Sequence, residues 1–118
     1  MMKQIVLFLL ILTGLYACGD ENKTKADEYF KSGEQKIVAQ DFAGAEADFT
    51  QAIALDPERY TPYHGRGEVR LFLGKQQEGL DDLKKAMELM KKTQDMDDPQ
   101  YQNAYLAIKT KYETSGGN

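Results

Sequence analysis

The sequence predicts an all-α fold: a short solenoid of two helix-turn-helix repeats and a C-terminal capping helix, placed behind an N-terminal signal peptide. The first observation behind this is that the chain matches itself after a shift of 34 residues. Tyr29, Gly33, Glu34, Asp48, Ala52 and Leu55 recur as Tyr63, Gly67, Glu68, Asp82, Ala86 and Leu89. A fixed period of this length marks stacked helical hairpins, in which no unit buries its apolar face alone. The second is that small residues hold the same repeat positions, with Ala45 answered by Gly79. A glycine within a helix costs about 1 kcal/mol relative to alanine, so Gly33 and Gly67 imply a compensating close approach of helices. The third is a narrow stripe, Tyr101, Tyr105, Ile108 and Tyr112, spaced as one face of a final helix.

Residues 1–17 differ from the rest. Lys3 is their only charge, and Ile5 to Leu12 is unbroken apolar sequence. Counted generously, Ile5 to Ala17 gives 13 residues, short of the roughly 20 that span a bilayer and in keeping with a secretory signal peptide. Leu15-Tyr16-Ala17-Cys18 resembles the bacterial lipobox, with an aliphatic residue three places before the cysteine and a small residue immediately before it. The resemblance implies cleavage before Cys18, alkylation of its thiol by diacylglycerol and acylation of the new amine. Each buried methylene contributes about 0.8 kcal/mol, so two or three chains anchor stably. Residues 18–25 then read as a polar tether, and the acids after the cysteine resemble an export signal of some Gram-negative surface lipoproteins.

Five helices follow. Thr24 is expected to cap the first, with Asp27 completing a capping box, and the helix runs to about Ala39. Asp41 caps the second, Phe42 to Leu55, which Asp56-Pro57 stops. Pro62 falls in the first turn of the third, which ends near Leu73 before Gly74. The fourth spans about Gln76 to Lys92. Asp98-Pro99 opens the fifth, 99–112, a cap for Leu80, Leu83, Met87 and Met90 of the fourth helix, and 113–118 is a flexible tail. The same stripe on the fifth helix is the alternative surface for a homodimer.

The units 26–59 and 60–93 resemble tetratricopeptide repeats. Tyr29, Gly33, Ala45, Phe49, Ala52 and Pro57 match the pattern in the first; Tyr63, Gly67, Gly79, Leu83 and Ala86 match it in the second. Ser32 and Arg66 stand where leucine is usual, Lys36 and Arg70 where tyrosine is usual, and Lys91 where proline is usual. The resemblance implies a protein or peptide partner held on a concave face, with Phe30, Glu34, His64, Glu68 and Phe72 as the candidate groove. It also implies that the family's clamp for a C-terminal carboxylate is missing, because Phe30 and Gly65 occupy two of its positions. Tyr29, Tyr63 and Phe49 are expected to fill gaps between layers.

The chain of 118 residues carries 42% hydrophobic and 29% charged residues and a net charge of −4. It has no basic block, which argues against nucleic acid. One cysteine and one histidine exclude an internal disulfide and any multi-histidine or multi-cysteine metal site. Asp81-Asp82 and Asp97-Asp98 read as solvated faces beside lysines, so no cofactor and no enzymatic activity are expected. Without residues 1–17 the chain keeps 14 basic against 19 acidic side chains, a balance of −5, so acyl chains rather than charge would hold it to lipid. The expectation is a lipid-anchored adaptor or scaffold in a Gram-negative cell envelope, on the periplasmic or surface side of the outer membrane, with the inner membrane as the other site. A self-associating structural protein, or a binder of small ligands, is the alternative.

Overall fold

A computed structural model gives, in chain order, α1 (Met2–Val38), α2 (Phe42–Leu55), α3 (Tyr60–Phe72), α4 (Gln76–Thr93) and α5 (Pro99–Thr114). It describes residues 19–118 in side-chain detail; the expected signal peptide, 1–17, and the lipid attachment at Cys18 lie outside those residues. Among the described residues there is no strand, and no helix is long and apolar enough to cross a membrane. The helices pack as neighbours, α1 on α2, α2 on α3, α3 on α4 and α4 on α5. The result is a short solenoid of two hairpins and a closing helix.

Local chemistry sets the helix ends. Asp41 caps α2 by accepting from the Gly44 amide at 3.0 Å, and Asp98 caps α5 by accepting from the Gln100 amide at 2.8 Å, with Pro99 following. Both satisfy otherwise orphaned N–H groups. Three helices end in the same doubly bonded reversal. After α3, the Gly74 amide donates to Leu71 and the Lys75 amide to Arg70, with Gly74 at φ +80°. After α5, Gly116 and Gly117 donate to Glu113 and Tyr112. After α1, Gln40 and Asp41 donate to Ile37 and Lys36, but here the left-handed position is Gln40, at φ 61°. Gln40 is the repeat equivalent of Gly74, and a left-handed side-chain-bearing residue costs about 1–2 kcal/mol. Gln40→Gly is therefore expected to raise the urea midpoint, by about 1 kcal/mol of stability after the entropy of an added glycine is allowed for.

Two segments differ from expectation. Residues 19–25 are not an extended tether: they are helical and continuous with α1. Thr24 Oγ1 donates back to the Asp20 carbonyl at 3.0 Å, and Lys25 lies 2.7 Å from Glu21, an i,i+4 pair in the favourable order. Thr24 is thus mid-helix and caps nothing, and Asp27 pairs with Arg59 instead of completing a capping box. The stretch from Gly19 to Val38 is a strut of about 30 Å. The tail is likewise tied down, by the reversal after α5, by Tyr112 donating to the Asn118 carbonyl at 3.1 Å, and by Gln76 donating to the Ser115 carbonyl.

The repeat glycines do what their position implied. A Cβ on Gly33 would fall 2.8 Å from the Phe49 ring, and one on Gly65 would meet the same ring at 2.8 Å from the other side. Phe49, 1% exposed, is clasped between Gly33 of α1 and Gly65 of α3, with the Phe30 ring 5.7 Å away. A Cβ on Gly67 would lie 3.0 Å from the Gly79 carbonyl, and one on Gly79 would lie 2.9 Å from that of Gly67. There the backbones of α3 and α4 touch. Ala45, Ala52 and Ala86 are fully buried along the same seam.

Leu83, Ala86, Met90 and Ile108 form the second core, with Tyr63, Tyr101, Tyr105 and Tyr112 packed on it. The α5 stripe therefore faces α4, with Ile108 buried and its three tyrosines half-buried. Lys91 lies over the Tyr105 ring at 5.3 Å, which suits a helix that continues where a proline would have ended it. Tyr29 is the exception among the expected gap-fillers, at 39% exposed. Its counterpart Tyr63 is covered by the Arg66 guanidinium at 5.8 Å, whereas the equivalent of Arg66 beside Tyr29 is the short Ser32.

Four of the five polar departures from the repeat pattern, Ser32, Lys36, Arg66 and Arg70, form a second, ionic seam. In the first repeat, Ser32 donates to Asp48 at 2.6 Å and Lys36 lies 2.9 Å away. In the second, Arg66 reaches Asp82 with two bonds of 2.8 Å, and Arg70 reaches it at 2.9 Å. Asp82 is 5% exposed, so it is no solvated acid; only its neighbour Asp81 is exposed, beside Gln77. Glu46 joins the repeats, accepting from Arg70 at 2.8 Å and Lys75 at 2.7 Å.

Burial opposes the charge on Asp48, but hydrogen bonds from Ser32 and Lys36 outweigh it and hold the carboxyl below its ordinary value. Glu46 is depressed in the same way against burial, by Lys75 and Arg70. Depressed carboxylates add stability above their unfolded pKa of about 4, and that part is lost as pH falls through the folded values. Urea midpoints measured from pH 6 to pH 3 should hold steady and then drop below about pH 4, with a shallower drop in Asp48→Asn.

Candidate interaction groove

The first helices of the two hairpins, α1 and α3, lie side by side with α5 beyond them. Between the three runs a cleft of about 320 Å³, floored by Phe30, Tyr60, Ile108 and the edge of Phe49, with Ala104 and Ala107 on the α5 side. Glu34, His64 and Glu68 line it as well. Four of the five expected groove residues are thus brought together, because equivalent repeat positions fall on one face of a solenoid.

Phe72 lies elsewhere. It stacks on Phe42 with ring centroids 4.2 Å apart, 69% exposed, in a second depression of about 640 Å³ shared with Ile37, Glu68, Lys111 and Thr114. Ile37 and Glu68 line both spaces, so the two adjoin. Sequence reasoning missed the contribution of α5, whose alanines at 104 and 107 carry no signal of their own.

The cleft has an internal charge order. Asp27 is neutralised by Arg59, whose guanidinium also sits 4.8 Å over the Phe30 ring. His64 Nε2 stands 3.4 Å from Glu68 Oε1. The hydrogen bond from His64 holds Glu68 below the usual carboxylate range despite partial burial, and Lys111 adds to this. Glu34 has no cationic partner among the described residues. Gly65 leaves no room for a side chain, since even a Cβ would strike Phe49, and this fits the absence of a carboxylate clamp. Among the described residues, no three His, Cys, Asp or Glu side chains are grouped as they would be around a metal ion.

Known proteins resemble this chain in sequence. The chain is 36% identical over 70 residues, 59% of its length, to a tetratricopeptide repeat protein 36 homolog of Nematostella vectensis, covering 39% of that protein. The helices form a short solenoid similar to that of tetratricopeptide repeats. The chain is also 39% identical over 69 residues, 58% of its length, to a STIP1 homolog of Dictyostelium discoideum, covering 12% of it. Over 84 residues, 70% of its length, it is 36% identical to DnaJ homolog subfamily C member 3 of Bos taurus, covering 17% of it. The chain therefore spans well under half of these relatives. No family model matches it.

Proposed function

We propose that this protein is a non-enzymatic adaptor that holds a protein partner in the cleft between α1, α3 and α5, and that a lipidated Cys18 fixes it to a membrane of the cell envelope. The observation that carries the first half is the cleft itself: an aromatic and aliphatic floor with carboxylates at its sides, built from equivalent positions of two tetratricopeptide-type repeats. A partner segment would seat its apolar side chains on that floor, the way apolar anchors enter hydrophobic grooves. The second half is supported by Leu15-Tyr16-Ala17-Cys18 after an apolar stretch. With a helical strut in place of a loose tether, the anchor would hold the repeats at a defined height above the lipid.

Affinity isolation of the tagged full chain from mild detergent tests the adaptor role. A specific partner should co-purify with the wild type and be lost from Ala107→Arg, which fills the cleft from an exposed α5 position. Equal recovery by both proteins would reject the cleft as the site. Metabolic labelling with an alkyne fatty acid tests the anchor: label should enter the wild type and be absent from Cys18→Ser.

A further inference from the structure

We propose that the cleft selects a peptide segment carrying a lysine or arginine set between apolar residues, with Glu34 as the group that receives the cation. This rests on the adaptor reading and adds the chemistry of the occupant. The charges around the cleft are unevenly spent. Asp27 is matched by Arg59, and Glu68 faces His64 at 3.4 Å, with Lys111 lining the adjoining depression. That leaves Glu34, exposed on α1 and lining the cleft, as the carboxylate without a cation among the described residues.

Tyr60 on the floor offers an aromatic surface, to which a lysine or arginine is attracted as well as to a carboxylate, while Phe30 already carries Arg59 over its ring. An acidic side chain or a free C-terminal carboxylate would meet two glutamates and no donor at Gly65. The volume, about 320 Å³, is at the small end for ligand sites and admits one long side chain and a neighbour rather than a whole helix. The formal charge of −4 adds a long-range bias toward cationic partners.

Panning a library of random dodecapeptides on the detergent-solubilised full chain tests this. Enriched peptides should share one lysine or arginine flanked by apolar residues. For such a peptide, Glu34→Gln should weaken binding about three- to fivefold, as for a partly exposed ion pair. The same peptide with that cation replaced by glutamine should bind wild type and Glu34→Gln equally. Enrichment of acidic or uncharged peptides, or an affinity unmoved by Glu34→Gln, would overturn the assignment while leaving the adaptor reading in place. No enrichment at all would count against the adaptor reading and remove the inference with it. Glu34 is exposed and makes no ion pair among the described residues, so an unchanged thermal midpoint is expected and separates lost binding from lost fold.

Discussion

Phe49→Ala is expected to destabilise the protein by about 3–5 kcal/mol, the range for truncating a buried phenylalanine. Small domains have total stabilities of about 5–15 kcal/mol, so this one change removes a large share. The ring is 1% exposed and lies between Gly33 and Gly65, with Phe30 at a centroid distance of 5.7 Å. Gly33 and Gly65 have no side chain with which to fill the hole, so Phe30 is the aromatic neighbour left beside it. The glycines make the claim sharper. Gly65→Ala in the wild type should cost about 1–3 kcal/mol, since its new methyl overlaps the ring. In the Phe49→Ala background the same change meets empty space and gains helix propensity, by about 1 kcal/mol. A double-mutant cycle by urea denaturation should therefore return a large coupling of opposite sign to the single effects. Additive costs would mean that the ring is not clasped there.

Asp82→Ala is expected to cost about 3 kcal/mol, the low end for removing one member of a buried ion pair. It strips two bonds from Arg66 and one from Arg70 and leaves the Arg66 guanidinium with only Thr50 at 3.1 Å. The equivalent change in the first repeat, Asp48→Ala, should cost less, because it frees a neutral serine and a lysine that already reaches solvent. Replacing Arg66 and Asp82 together by Met and Leu should recover most of the loss, since a well-packed apolar pair can match a buried salt bridge. Thermal or urea unfolding of the three variants beside the wild type decides this. Equal, small losses for both aspartates would show that the ionic seam is surface decoration.

The repeat period made the fold legible, because glycine at identical positions has few explanations besides close approach. The caps at Asp41 and Asp98 were legible for a similar reason: proline and aspartate act locally, whatever the chain does elsewhere. The ionic seam was hidden because Ser32, Lys36, Arg66 and Arg70 look like surface residues when each is read alone. The signal that could have found it is the recurrence of Asp48 as Asp82, set against Arg66 and Arg70, yet in the sequence Asp82 reads as part of a solvated face. The strut at 19–25 was missed because polar composition speaks to burial, not to helicity, and its i,i+4 pair is worth only a few tenths of a kcal/mol. In the groove, Phe30, Glu34, His64 and Glu68 followed from repeat register. Phe72 fell outside because the end of α3 turns it toward Phe42, and the α5 wall followed from packing that no alanine announces.

The most direct test of the account is a positional one. A photo-crosslinking amino acid placed at Ala107, on the cleft wall, and at Gln51, exposed on α2, would be irradiated in cells producing the full chain. The account expects a discrete crosslinked species from position 107, none from position 51, and a several-fold weaker species when Glu34→Gln is combined with the label at 107. Crosslinks from 51 with none from 107 would place the partner on the opposite side of the helical array and contradict it.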